Sequence, residues 1–166
     1  MIHDKKHLKY TAIPNEEMYW ERVNRSLGWL GDTKQEQHNK QEKLKNVVIG
    51  IAGTGGIGGQ LAQRLVRMGV RNLKLADPDT FDISNMNRQM GADLQHIGKN
   101  KAEVVAEMTY SLNHDVNIDF HSFWRIRCQL PQSKDVGLVT HDLTVSGNNA
   151  TSLLPHYTWL HHWVVD

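Results

Sequence analysis

A single cysteine, Cys128, stands in a chain of 166 residues. An internal disulfide is therefore excluded, and so is a zinc site built from several thiolates. A surplus of charge of either sign is also missing: 19 Lys and Arg face 18 Asp and Glu, a formal net charge of +1. That balance gives no general electrostatic case for nucleic acid or a membrane surface as partner. No apolar run approaches the roughly 20 residues of a membrane span. The opening MIHDKKHLKY is polar and lacks the apolar stretch of a secretory leader, so the expected location is the cytoplasm. What remains, 39% hydrophobic and 22% charged residues, is the composition of a globular chain with a buried core.

The pattern along the chain falls into three parts. Residues 1–14 are polar and are expected to be mobile. Asn15 followed by Glu16 and Glu17 reads as the capped start of a helix through NEEMYWERVNRSLGWL. Thr33 with Glu36 three residues on has capping-box spacing, and opens a polar surface helix. Residues 1–45 thus form an N-terminal helical arm. From 46 to 125 the reading is an α/β domain, a Rossmann-like parallel sheet with flanking helices. NVVIGIAG is its first, buried strand. IGGQLAQRLVRMGV is a helix with Ile57, Leu61, Leu65 and Met68 on its apolar stripe and Gly69 as its stop. RNLKLADPD is the second strand, KNKAEVVAEMTYSLN the second helix and DVNIDFHSF the third strand. In the tail, 126–166, the pattern fades to one candidate short strand, VGLVT, so the sheet is expected to be incomplete.

The chemistry lies where the first strand meets the first helix, in IAGTGGIGGQ. Gly53, Gly55 and Gly58 match G-x-G-x-x-G, with Gly56 between them. Such a loop lets a phosphate approach backbone N–H groups at the positive end of the following helix. Asp77 lies 19 residues past Gly58, close to the ~20 expected of an acid that bonds a ribose hydroxyl. By itself the loop admits NAD as readily as ATP. The stretch DPDTFDISNMNRQMGADLQHIGKNKAE adds Arg88 and Lys101, fixed positive charge suited to the developing charge on phosphates.

Four pieces, GTGGIGG (53–59), DPD (77–79), SNMNRQ (84–89) and IGKNKAE (97–103), resemble in order and spacing the E1-like adenylating superfamily, the ThiF/MoeB/HesA group. The resemblance covers about residues 20–125. It implies an ATP-dependent adenylyltransferase that activates the C-terminal carboxylate of a ubiquitin-like or sulfur-carrier protein, forming an acyl-adenylate and pyrophosphate. By the same resemblance Gly53, Gly55, Gly56 and Gly58 lie against the nucleotide, and Asp77, with Asp79 in the same motif, holds the ribose. Asn85, Arg88 and Gln89 line the phosphate path, and Lys101, in preference to Lys99, contacts the phosphates. An arginine of the arm, Arg25 ahead of Arg22, reaches the partner subunit's ATP, which implies a homodimer. The catalytic set is then Arg88, Lys101 and Arg25.

The family also implies Mg²⁺, held by an aspartate after a further strand. No ligand is identified here: Asp142 stands at about the right distance in a different surrounding pattern. The paired CxxC zinc site of several members is absent. These departures lead to the expectation of a truncated or frame-shifted member after about residue 125, inactive for that reason, ahead of a short member that works with another chain. Three other functions fit the same motifs: a dehydratase of the tRNA threonylcarbamoyladenosine type, an NAD-dependent oxidoreductase and a non-catalytic nucleotide-binding module. The oxidoreductase would need a catalytic His or Lys in a second domain. Cys128 is read as a small apolar residue rather than a thioester carrier. His156, His161 and His162 lack a carboxylate or thiolate partner for a metal, and the Asn149 glycosylation triplet lacks a secretory context.

Overall fold

The computed structural model describes residues 7–123 and the backbone of a strand at 136–140. The elements are β1 (His7–Tyr10), α1 (Glu16–Val23), a 3₁₀ segment (Asn24–Trp29), α2 (Lys34–Asn46), β2 (Val48–Ala52) and α3 (Gly58–Arg67). They continue with β3 (Asn72–Ala76), a 3₁₀ turn (Ile83–Asn85), α4 (Lys101–Tyr110), β4 (Asn117–His121) and β5 (Val136–Thr140). Cys128, Asp142, Asn149, His156, His161 and His162 lie outside the described residues.

The strands form one sheet in the order β1-β4-β3-β2-β5. The pairs β2–β3, β3–β4 and β2–β5 are parallel, while β1 joins β4 antiparallel. The sheet is therefore mixed, not purely parallel. The expected mobility of residues 1–14 does not hold for His7–Tyr10, which forms a strand at the edge of the described sheet. Its partners lie far away in sequence: Tyr10 packs on Tyr110 and Phe120, and the Ala12 N–H donates to Asn117 Oδ1 at 2.9 Å. Four residues reading HLKY carry no periodicity that announces this pairing. VGLVT does form a strand, and it extends the sheet on the far side of β2.

One face of the sheet, Ile49, Ile51, Leu73, Leu75, Ile118 and Phe120, packs under Ala62 and Val66 of α3 and Val104, Val105 and Ala106 of α4. The stripe expected on α3 is displaced. Ala62 and Val66 are fully buried, Leu61 and Leu65 partly so, and Ile57 and Met68 are about half exposed. Small residues face β2 because this helix approaches the strand closely, and the larger ones are pushed to its flanks.

The arm docks at the amino end of the parallel strands through Tyr19, which is fully buried. Its hydroxyl donates to the Gly69 carbonyl at 3.0 Å and accepts from Gln41 Nε2 at 2.8 Å. Gln41 Nε2 also donates to the Met68 carbonyl at 2.9 Å. Arg71 and Lys45 stand 4.6 and 5.0 Å from the Tyr19 ring centroid, a cation–π arrangement, and both pair with Glu16. The helix expected to run on to Leu30 ends at Val23 and tightens to 3₁₀ over Asn24–Trp29, where no residue is buried to hold a longer α-helix in place. Thr33 caps α2 as expected, but Glu36 reaches back to the Asp32 N–H at 3.2 Å rather than to that of Thr33. Among the described residues no helix is long and apolar enough to cross a membrane.

Tyr19→Phe leaves the Gly69 carbonyl without this donor at a buried contact. The expected loss is about 1–2 kcal/mol of unfolding free energy in urea titrations, with earlier proteolysis in the arm than in the sheet.

Candidate functional site

The order of the sheet reverses at β2, whose neighbours β3 and β5 belong to opposite directions of chain progression. In open α/β sheets a crevice forms at the carboxyl ends of the strands at such a point. The glycine loop occupies that place. Gly53 has φ +87°, a left-handed conformation that favours glycine, and its N–H donates to the Ala76 carbonyl at 2.8 Å. Gly58 opens α3, and a Cβ there would sit 1.8 Å from the Gly53 carbonyl oxygen. No side chain caps this helix, whereas Thr33 and Asn100 cap α2 and α4. The N-terminus of α3 is thus left to a ligand or to water.

Asp77 holds the loop from the end of β3. Its Oδ2 accepts from the Thr54 N–H at 2.6 Å and the Thr54 hydroxyl at 3.1 Å, and its Oδ1 accepts from the Asp79 N–H at 2.9 Å. The residue is 4% exposed. Burial pushes its carboxyl above the ordinary range, against the pull of the two N–H donors and of Lys101. Asp79 is the outward acid, with a side chain 69% exposed and Oδ2 3.5 Å from Lys101 Nζ. Lys101 is the first residue of α4, and its own N–H donates to the Asp79 carbonyl at 2.9 Å. Asn100 fixes this junction: Nδ2 donates to the Asp77 and Asp79 carbonyls at 2.7 and 3.1 Å, while Oδ1 caps the helix at the Glu103 N–H. Lys99 is exposed.

The SNMNRQ segment closes over the loop from the other side. Asn85 is buried and its Oδ1 accepts from the Asp82 N–H at 3.0 Å, so its first task is to shape the turn. Arg88 is exposed and donates to the Ser84 carbonyl at 3.1 Å and Asn87 Oδ1 at 3.0 Å. Its backbone lies beside Gly56. Gln89 is 7% exposed, lies against Gly55, and its Oε1 is buried without a hydrogen-bond partner. Such an acceptor, costly when unpaired, marks a place where a donor belongs.

The structure thus brings together Gly53, Gly55, Gly56, Gly58, Asp77, Asp79, Asn85, Arg88, Gln89 and Lys101. It does not bring Arg25 to them. Arg22 donates to the Val66 and Arg67 carbonyls at the C-terminus of α3, the opposite end from the loop, and Arg25 is exposed on the 3₁₀ segment just beyond. The sequence reading missed Thr54 and Asn100. Thr54 had no signal of its own; Asn100 had one, a capping residue ahead of the helical pattern.

Two expectations follow. Gly58→Ala would force the loop and α3 apart, at roughly 3 kcal/mol or more in chemical denaturation. The second concerns pH. Folding raises the Asp77 pKa, so the folded state holds that proton more tightly than the unfolded chain. The contribution is fully present below ~3.9 and is lost as pH rises through the folded value. Stability of wild type minus that of Asp77→Asn should therefore fall as pH rises from about 3 to about 7, measured by thermal melts.

The sequence matches the ThiF family model over residues 24–143. Over 80 residues it is 42% identical to SUMO-activating enzyme subunit 2 of Dictyostelium discoideum, covering 48% of this chain and 12% of that protein. It is 35% identical over 77 residues to the tRNA threonylcarbamoyladenosine dehydratase of Bacillus subtilis (strain 168), covering 46% and 30%. Among solved structures, PaaA superposes with TM-score 0.60 at 28% identity, over 70% of this chain and 36% of that one. The E. coli dehydratase TcdA superposes with TM-score 0.58 at 25% identity, over 65% and 43%. The aligned segments span less than a third of the two relatives' own length. A match over most of the chain, on the fold and loop just described, makes this protein a member of the ThiF family.

Proposed function

We propose that this chain binds ATP at the glycine loop and adenylates a carboxylate, that of the C-terminus of a ubiquitin-like or sulfur-carrier protein. One observation carries the reading: Gln89 and Arg88 lie against the glycine loop at Gly55 and Gly56, beside the uncapped start of α3, and Asp77 ties that loop to Asp79 and Lys101. Relatives that are SUMO-activating and ubiquitin-like modifier-activating enzymes support it, as do TcdA structures in complex with AMP and ATP. The near-neutral charge favours a protein substrate over tRNA.

In this reading the loop N–H groups receive the phosphates. Asp79, with its exposed carboxylate, bonds the ribose, and Asp77 behind it keeps the loop in shape. A carboxylate oxygen of the carrier attacks the α-phosphorus; the bond from that phosphorus to the bridging oxygen breaks, and pyrophosphate leaves with the electron pair. Arg88 and Lys101 neutralise the charge that develops there. The residues described do not fit Mg²⁺: Asp77 spends its oxygens on Thr54 and Asp79, and Asp79 has Lys101 beside it. Because Arg25 sits at the far end of its own subunit, we assign it to the nucleotide of the partner subunit in a homodimer.

The test is a thermal-shift titration with Mg-ATP and, separately, NAD. ATP at about 100 times its Kd should stabilise the chain by roughly 2.7 kcal/mol. Arg88→Ala and Lys101→Ala should each weaken ATP binding about tenfold, close to the 1.4 kcal/mol of a lost charge-assisted contact. A shift with NAD alone would replace this reading with the oxidoreductase.

A further inference from the structure

We propose that His7, Asp119 and His121 form a binding site for a divalent transition-metal ion of the zinc class, on the β1–β4 edge of the sheet. His7 and His121 are directly opposite each other in the β1–β4 register, and Asp119 follows on the same face two residues from His121. The two imidazoles are stacked, with centroids 4.4 Å apart and planes 2° from parallel. Nε2 of each lies near one oxygen, Asp119 Oδ1: His7 is hydrogen-bonded to it and His121 Nε2 stands at 3.5 Å. One ligand atom from each residue falls within 4.8 Å of the others.

Metal–ligand lengths of about 2.0–2.2 Å place neighbouring tetrahedral ligand atoms roughly 3.4 Å apart. The His121–Asp119 spacing already meets that value, and the stacked rings turn out of parallel on binding so that both Nε2 lone pairs meet one ion. His7 is 48% exposed and the other two side chains 18%, which gives an ion an entry path and leaves room for water as a fourth ligand.

The surroundings choose the class of ion. Lys9 and Lys74 take the register positions on either side of Asp119. With two ammonium groups on this face, net charge does not attract a cation. Mg²⁺ and Ca²⁺, which rely on several oxygen ligands, find one carboxylate here. Two imidazoles and a carboxylate instead suit Zn²⁺ and its neighbours, Fe²⁺ among them. Occupancy would clip β1 to β4 between residues that the chain separates by more than a hundred positions, stabilising the β1 edge of the sheet.

The experiment is calorimetric titration of the full chain with Zn²⁺, Ni²⁺, Fe²⁺ under anaerobic conditions, and Mg²⁺. We expect one Zn²⁺ per chain, reversed by EDTA, with no Mg²⁺ binding, and the Ni²⁺ and Fe²⁺ arms rank the class. His7→Asn, Asp119→Asn and His121→Asn should each weaken Zn²⁺ at least tenfold, with circular dichroism reporting the fold. A triple variant of His156, His161 and His162 to Asn should leave it unchanged. Unaltered affinity in Asp119→Asn and His121→Asn, or loss in the triple variant, would overturn the site. Should the strand variants not fold, Co²⁺ in the wild-type chain decides: paramagnetically shifted imidazole signals assigned to His7 and His121 support the site, and assignment to other histidines refutes it.

Discussion

The approach of α3 to β2 sets the position of the groups around the candidate crevice. With no side chain at Gly58, the helix starts almost against the Gly53 carbonyl, and no side chain caps its first turn. Asp77 then holds that turn through Thr54, at the cost of burying a carboxylate. The Ala62–Val66 packing and the outward displacement of Ile57 and Met68 follow from the same closeness.

The two ends of the sheet divide the work. At the carboxyl end polar groups are arranged with spare capacity: an uncapped helix, an unpaired amide oxygen, an exposed acid and two cations. At the amino end Tyr19, Gln41, Arg71, Asp115, Glu16 and Lys45 bond to one another and to the last turn of α3, with Asp115 Oδ1 and two nitrogens of Arg22 left unpaired. A connected network of this kind holds elements together.

Much of the parallel unit was legible in local pattern. The Val- and Ile-rich strand before the glycines, the Asn15 and Thr33 caps and the alternation in DVNIDFHSF each express a preference that their neighbours in sequence satisfy. The crevice was legible for a related reason: its residues sit at fixed offsets from strand ends, and the strands carry them to one edge. What local pattern does not express is pairing across distance. The edge strand His7–Tyr10, and with it the apposition of two histidines and an aspartate, depends on partners over a hundred residues away. The role of Tyr19 is of the same kind: one of two adjacent aromatics in a polar helix becomes the anchor of the arm only once Gly69 and Gln41 are brought to it.

The sequence by itself determined the repeating strand–helix–strand order, the loop that needs glycine and the acids and cations that flank it, because steric limits and burial act between near neighbours. Tertiary structure alone decided which acid turns inward and which outward, that Arg22 and Arg25 lie at the end opposite the loop, and that the sheet is mixed rather than parallel. Those outcomes depend on desolvation and hydrogen-bond partners that exist only once distant segments meet.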